Sequence, residues 1–184
     1  MFTKVLIANR GAIAVRICRT LKAESITSLV IYAENDRDSL HVKHADQAVS
    51  LGSGDLSQTY LNSEKIIAIA LEQEAQAIHP GYGFLSENPE FVESCEAAGL
   101  VFLGPTAEQM RLFGLKHTAR ELAEKAQVPL LPGSGIVENL DEALISAETI
   151  GYPLMLKSTA GGGGIGMSLC HSANDLSAAF DKTR

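Results

Sequence analysis

The chain has 184 residues, 46% of them apolar, and a formal net charge of −7 at pH 7. That length holds one domain, or one with part of a second, and the apolar share is ordinary for a packed core. An acidic balance with no basic stripe or tail argues against non-specific nucleic-acid binding, and no apolar run approaches membrane-spanning length.

Short β-branched runs then alternate with amphipathic stretches. Residues 5–8 read as a buried strand. A turn at Asn9-Arg10-Gly11 leads into a helix with Ile13, Ile17 and Leu21 at helical spacing, and Arg10, Arg16, Arg19 and Lys22 are expected on its solvated face. Residues 28–32, 48–51, 75–78 and 100–103 are four further strands. Ser63 is placed to cap a helix carrying Ile66, Ile67 and Ile69. Asn88-Pro89 sets a capping side chain before a proline at the first helical position, and that helix ends at Gly99. Alternation of this kind predicts an α/β fold with a parallel sheet covered on both faces.

The pattern changes after Gly104-Pro105. Thr106 and Gln109 form a capping-box pattern for a short helix stopped at Gly114; residues 115–126 follow as a second helix. Val128-Pro129 and Leu131-Pro132 hold the next stretch extended, since a residue before proline is pushed out of helical space. A helix over about 141–150, a strand at 154–156, a glycine run, a return strand from Ile165 to Cys170 and a helix opened by Ser172 complete the chain. The expected organisation is a Rossmann-like domain over 1–112, then linker helices and the beginning of a second, incomplete unit over 113–184.

Three sets of residues stand out chemically. Lys157 is followed, after Ser158-Thr159-Ala160, by a run containing Gly161, Gly162, Gly163, Gly164 and Gly166, then Met167. Glycine lets backbone N–H groups line up against an anion, and a lysine ending a strand needs a partner where it is partly buried, so a phosphate-gripping hairpin competes here with a plain flexible tip. His79-Pro80-Gly81-Tyr82-Gly83-Phe84-Leu85-Ser86-Glu87-Asn88 leaves the fourth strand; its glycines allow either the approach of a planar ligand or only a structural loop with a half-buried tyrosine. Asn9 and Gly11 serve either the tight turn or a ligand, and without GxGxxG the turn gives no dinucleotide fingerprint. Lys116, taken alone, is an exposed charge. Cys18, Cys95 and Cys170 are odd in number and widely spaced, as small core residues in a reducing, cytoplasmic setting would be, and neither they nor the five histidines show metal-ligand spacing.

These segments, with Phe102-Leu103-Gly104-Pro105 and Gly151-Tyr152-Pro153, occur in an order that resembles the N-terminal part of a biotin carboxylase, the ATP-grasp component of biotin-dependent carboxylases. The resemblance runs along essentially the whole chain, and the string from His79 to Asn88 is its most specific part. Leu115 and Ile165, where acyl-CoA and pyruvate-type relatives carry aspartate and arginine, resemble the urea carboxylase branch, often fused to allophanate hydrolase as urea amidolyase. The resemblance implies an ATP-dependent carbon–nitrogen ligase: ATP and bicarbonate give carboxyphosphate, whose CO2 passes to the ureido nitrogen of biotin for transfer to urea. It implies Lys116 and Lys157 on the ATP phosphates, the glycine run closing as a lid that keeps water from carboxyphosphate, Met167 beside the adenine, and Tyr82 and Gly83 at the biotin site. The family's Mg2+ ligands, bicarbonate-binding arginine and general base come later in the chain, so no catalytic or metal residue is expected within this stretch and it is expected to be inactive alone. The sequence holds no Met-Lys-Met context for covalent biotin, so biotin is expected on a separate carrier domain, with the rest of the carboxylase and a second copy as further partners. A different ATP-grasp ligase and a non-catalytic nucleotide-binding module are the competing readings.

Overall fold

Val5-Leu6-Ile7-Ala8, Leu29-Val30-Ile31 and Ala77-Ile78 have no polar alternation, so strands built from them must be covered on both faces. In the computed structural model, which describes residues 1–158 and 166–183, they form the middle of a five-stranded parallel sheet. The chain divides into two units, Met1–Arg111 and Leu112–Arg184. In the first, β1 (Lys4–Ile7), β2 (Thr27–Ala33), β3 (Gln47–Gly52), β4 (Ala77–His79) and β5 (Val101–Phe102) pair in the order β3-β2-β1-β4-β5. The period-2 pleat sorts their side chains. Leu6, Leu29, Ile31 and Ile78 share one core with Ile66 of α3 (Ser63–Glu72) and with Phe91 and Cys95 of α4 (Pro89–Ala97). Val5, Ile7, Val30 and Ala77 share the other with Ile17, Cys18 and Leu21 of α1 (Gly11–Ala23).

Two start signals act as the sequence predicts. The Asn88 side chain accepts from the Phe91 N–H at 2.8 Å with Pro89 opening α4. Thr106 and Gln109 bond reciprocally, at 2.9 and 3.1 Å, ahead of α5 (Ala107–Gly114). At α3 the expected cap is displaced by one residue: Asn62, not Ser63, accepts from the Lys65 N–H. Helix ends are less legible. Gly99 (φ +77°) closes α4, but Ser25 (φ +58°) and Glu74 (φ +55°) close α1 and α3 in the same left-handed conformation. Their helices still return the terminal bonds, Ile26 N–H to Leu21 O and Ala75 N–H to Ala70 O, both 2.8 Å.

In the second unit, α6 (Lys116–Lys125) and α7 (Leu140–Ile150) precede an antiparallel hairpin of β6 (Leu154–Lys157) and β7 (Met167–Cys170), followed by α8 (Ala173–Thr183). Leu154, Leu156 and Cys170 pack on Ala143 and Ala147 of α7 and on Leu176 and Phe180 of α8. The opposite face of the hairpin, with Met155, Lys157, Met167 and Leu169, is exposed.

One buried group has no counterpart in the sequence reading. The short helix α2 (Leu40–His44) buries His41 fully, and neither ring nitrogen meets a hydrogen-bond partner among the described residues. Burial pushes its pKa down, against smaller upward pulls from the Ile31 backbone and Asp36. The unfolded chain, with a histidine near pKa 6.5, therefore takes up this proton before the folded chain does, and stability falls as the pH drops through about 6.5. His79, also lowered by burial, adds to the slope. A His41→Leu variant is expected to lose less of its thermal midpoint than the parent between about pH 7.5 and about pH 5.5, read by circular dichroism. A Glu74→Gly change should stabilise by about 0.5–1 kcal/mol in urea denaturation, because it relieves a left-handed backbone that a side chain disfavours.

Candidate functional site

Ligands of open α/β sheets sit beyond the carboxyl ends of the strands, where the strand order reverses. Here that point lies between β1 and β4, with Ile7 opposite His79. The turn after β1 and the loop after β4 are stitched together by one side chain. Asn9, 3% exposed, donates through Nδ2 to the carbonyls of Pro80 at 2.7 Å and Tyr82 at 2.8 Å, while its Oδ1 accepts from the Arg10 N–H at 2.9 Å. Gly81 stands at φ +68°, and a Cβ there would fall 2.7 Å from Asn9 Nδ2. The Gly81 N–H donates to His79 Nδ1 at 3.1 Å, an acceptor role only the neutral ring can fill.

Tyr82 and Gly83, the residues predicted for the biotin site, form the tip of this loop. The Tyr82 side chain is 66% exposed rather than half-buried, and Gly83 takes φ +68°. Behind them, Phe84 stacks on Tyr60 with centroids 5.1 Å apart and rings 6° from parallel.

Arg10 departs from its expected place on the face of α1. It precedes that helix in an extended conformation, and its guanidinium lies 5.4 Å from the Tyr60 ring centroid and 5.9 Å from that of Phe84 while pairing with Asp36 at 2.9 Å. The Tyr60 hydroxyl donates to Asp36 at 2.7 Å and accepts from the Ala33 N–H at 3.1 Å. Burial alone would raise the Asp36 pKa, but the bonds from Tyr60 and Arg10 outweigh it and hold the carboxyl below its usual range. Asp36 and Tyr60 lie in stretches where periodicity is silent. Their only sequence signal is Arg10, three residues beyond the end of β1.

In the second unit, Lys157 ends β6 and pairs in register with Met167 at the start of β7; both side chains are exposed on one face. A lysine so placed is solvated, and the idea that burial forces a partner on it does not apply. The ladder continues one step, from the Ser158 N–H to the Gly166 carbonyl at 2.8 Å, with Gly166 at φ +71°. Gly161, Gly162, Gly163 and Gly164 lie outside the described residues. Lys116 is the first residue of α6, and its side chain likewise falls outside the description. Leu156, Lys157, Val137, Asn139, Phe180 and Thr183 are among the residues lining a cavity of about 540 Å³ beside the hairpin. A cation and a soft thioether side by side on an open strand pair can meet an anionic group and a flat apolar surface of one ligand.

Residues 1–110 match the family model of the N-terminal domain of biotin carboxylase, and residues 116–184 match that of the ATP-binding domain of the carbamoyl-phosphate synthase L chain. The chain is 53% identical over 180 residues to the urea amidolyase of Lachancea kluyveri, covering 98% of this chain and 10% of that protein. It is 50% identical over 180 residues to the biotin carboxylase of Nostoc sp., covering 97% of this chain and 40% of that protein. Among solved structures it resembles the biotin carboxylase domain dimer of the 2-oxoglutarate carboxylase of Hydrogenobacter thermophilus, a complex with MgADP, ADP and bicarbonate. The TM-score is 0.91 at 45% identity, over 100% of this chain and 40% of that one. This chain thus spans about a tenth of the first relative and two fifths of the other two. With a Rossmann-like parallel sheet followed by part of an ATP-grasp unit, and a family model covering 110 of its 184 residues, the chain belongs to the biotin carboxylase family.

Proposed function

We propose that this chain is part of a cytoplasmic ATP-dependent biotin carboxylase of the urea carboxylase branch, which activates bicarbonate with ATP and carboxylates carrier-borne biotin for delivery to urea. The observation that carries the reading is the hairpin of the second unit, where Lys157 and Met167 face each other across the strand pair on an open surface, on either side of the segment that carries the glycine run. In this reading the Lys157 ammonium and the Lys116 ammonium offset phosphate charge. The amides of residues Gly161 to Gly164 and Gly166 approach the same phosphates, and Met167 lies against the base. Enclosure by such a hairpin protects carboxyphosphate from water. Tyr82 and Gly83, at the carboxyl end of β4, receive the ureido ring.

Leu115 and Ile165 support the urea branch, as does 53% identity to a urea amidolyase. The dimeric state of the Hydrogenobacter domain supports pairing with a second copy. Mg2+ would reach the nucleotide through the phosphates and carboxylates that the resemblance puts later in the chain. The sequence reading likewise puts no general base here, so the 184-residue chain by itself should show no bicarbonate- and biotin-dependent ATP cleavage in a coupled assay.

In the full-length enzyme, Lys157→Ala should raise the KM for ATP or lower kcat by about 10- to 100-fold, the loss expected for one hydrogen bond to a charged group. Unchanged values of both would remove Lys157 from the phosphates. Substrate choice is read from the same enzyme: ATP consumption stimulated by urea supports the branch, and stimulation by an acyl-CoA or pyruvate instead overturns it.

A further inference from the structure

We propose that Asn9 is a positioning residue for the acceptor step, whose carboxamide holds the Tyr82–Gly83 tip in the shape that receives biotin; this rests on the reading that Tyr82 and Gly83 line the biotin site. The carboxamide has only one workable orientation. Nδ2 meets two carbonyl oxygens, at 2.7 and 2.8 Å, and Oδ1 meets an N–H at 2.9 Å. Turned over, it would set an oxygen against two oxygens. Both of its amide protons are therefore committed to the loop after β4, one on each side of Gly81.

The glycine is part of the same device. Its left-handed backbone lets the chain fold over Asn9, and the space a Cβ would need is taken by the carboxamide. The Ala8 N–H bond to the His79 carbonyl, 2.9 Å, and the Gly81 N–H bond to His79 Nδ1 complete a continuous set of ties between the two strand ends.

What distinguishes this from ordinary loop packing is its outcome. Leu85 is buried and Phe84 is stacked, so the far side of the loop is anchored by apolar contact. Tyr82 is 66% exposed and makes no ring contact among the described residues; its backbone is held through its own carbonyl, by Asn9. The buried amide thus sets where an exposed ring stands, at the reversal point of the strand order.

The test uses the full-length enzyme with free biotin as acceptor and three variants, Asn9→Asp, Gly81→Ala and Tyr82→Ala. Asn9→Asp keeps size and shape but replaces the donor with an oxygen facing two carbonyls. It should raise the KM for biotin by about tenfold or more, with the KM values for ATP and bicarbonate within about twofold of the parent. Should Asn9→Asp fail to fold, Gly81→Ala, which presses on the same carboxamide from the loop side, should give the same split. Tyr82→Ala raising the biotin KM while both other variants leave it unchanged would overturn the role of Asn9 and leave the biotin-site reading standing. Tyr82→Ala leaving the biotin KM unchanged would overturn the biotin-site reading, and the proposal with it. A parallel loss in all three substrates for Asn9→Asp and Gly81→Ala would reduce Asn9 to a purely structural residue and overturn the proposal.

Discussion

The pairing of β1 with a neighbour on each side is the constraint on which the first unit rests. Leu6 sits opposite Leu29 and Ile78, and Ile7 opposite Val30 and His79, so β1 and β4 end at one level while β2 runs on to Ala33. A slip of one residue would send Leu6 and Ile7 to the wrong cores, because the side-chain period is two. With both faces apolar and both filled, that slip is strongly disfavoured. The register of a fully buried strand therefore decides where Asn9, Arg10 and the Tyr82 loop begin.

Beyond that level the chain turns polar, and the polar groups find each other. Asn9 is satisfied by backbone, and Arg10 by Asp36 and two ring faces. Tyr60 joins the two kinds of contact, since its ring stacks on Phe84 while its hydroxyl bonds Asp36 and Ala33. Arg10 is partly exposed, which limits the worth of its ion pair, but the stacked rings restrict its rotamers. The strand ends are thus bordered by side chains whose positions are set by more than one contact each.

The parts of this that the sequence announces are those with local causes. Asn88-Pro89 and Thr106 with Gln109 make their bonds within one turn of helix, so spacing alone reveals them. Apolar runs at 5–8 and 28–32 announce strands covered on two faces. The string from His79 to Asn88 announces a loop of unusual demand, and Gly81 shows why: its φ and its contact with Asn9 both exclude a side chain. Contacts between distant segments leave no such trace. Asp36 and Tyr60 meet Arg10 across 26 and 50 positions, Asn62 takes the cap that Ser63 could have held, and Ser25 and Glu74 occupy places where glycine is the safer guess. Lys157 looks like a lysine at the end of a buried strand until the pleat is seen to turn it outward.

The three packed clusters share one further property. Cys95 lies in the core beneath α3 and α4, Cys18 in the core beneath α1, and Cys170 in the core of the second unit; all are buried and unpaired. Burial raises each thiol, Cys95 to about 12, which leaves almost no thiolate to react in the closed state. Every layer thus contains its own chemical reporter. The speed at which an alkylating reagent modifies one cysteine reports how often the packing around it opens, locally or with the whole unit, with no probe engineered into the protein.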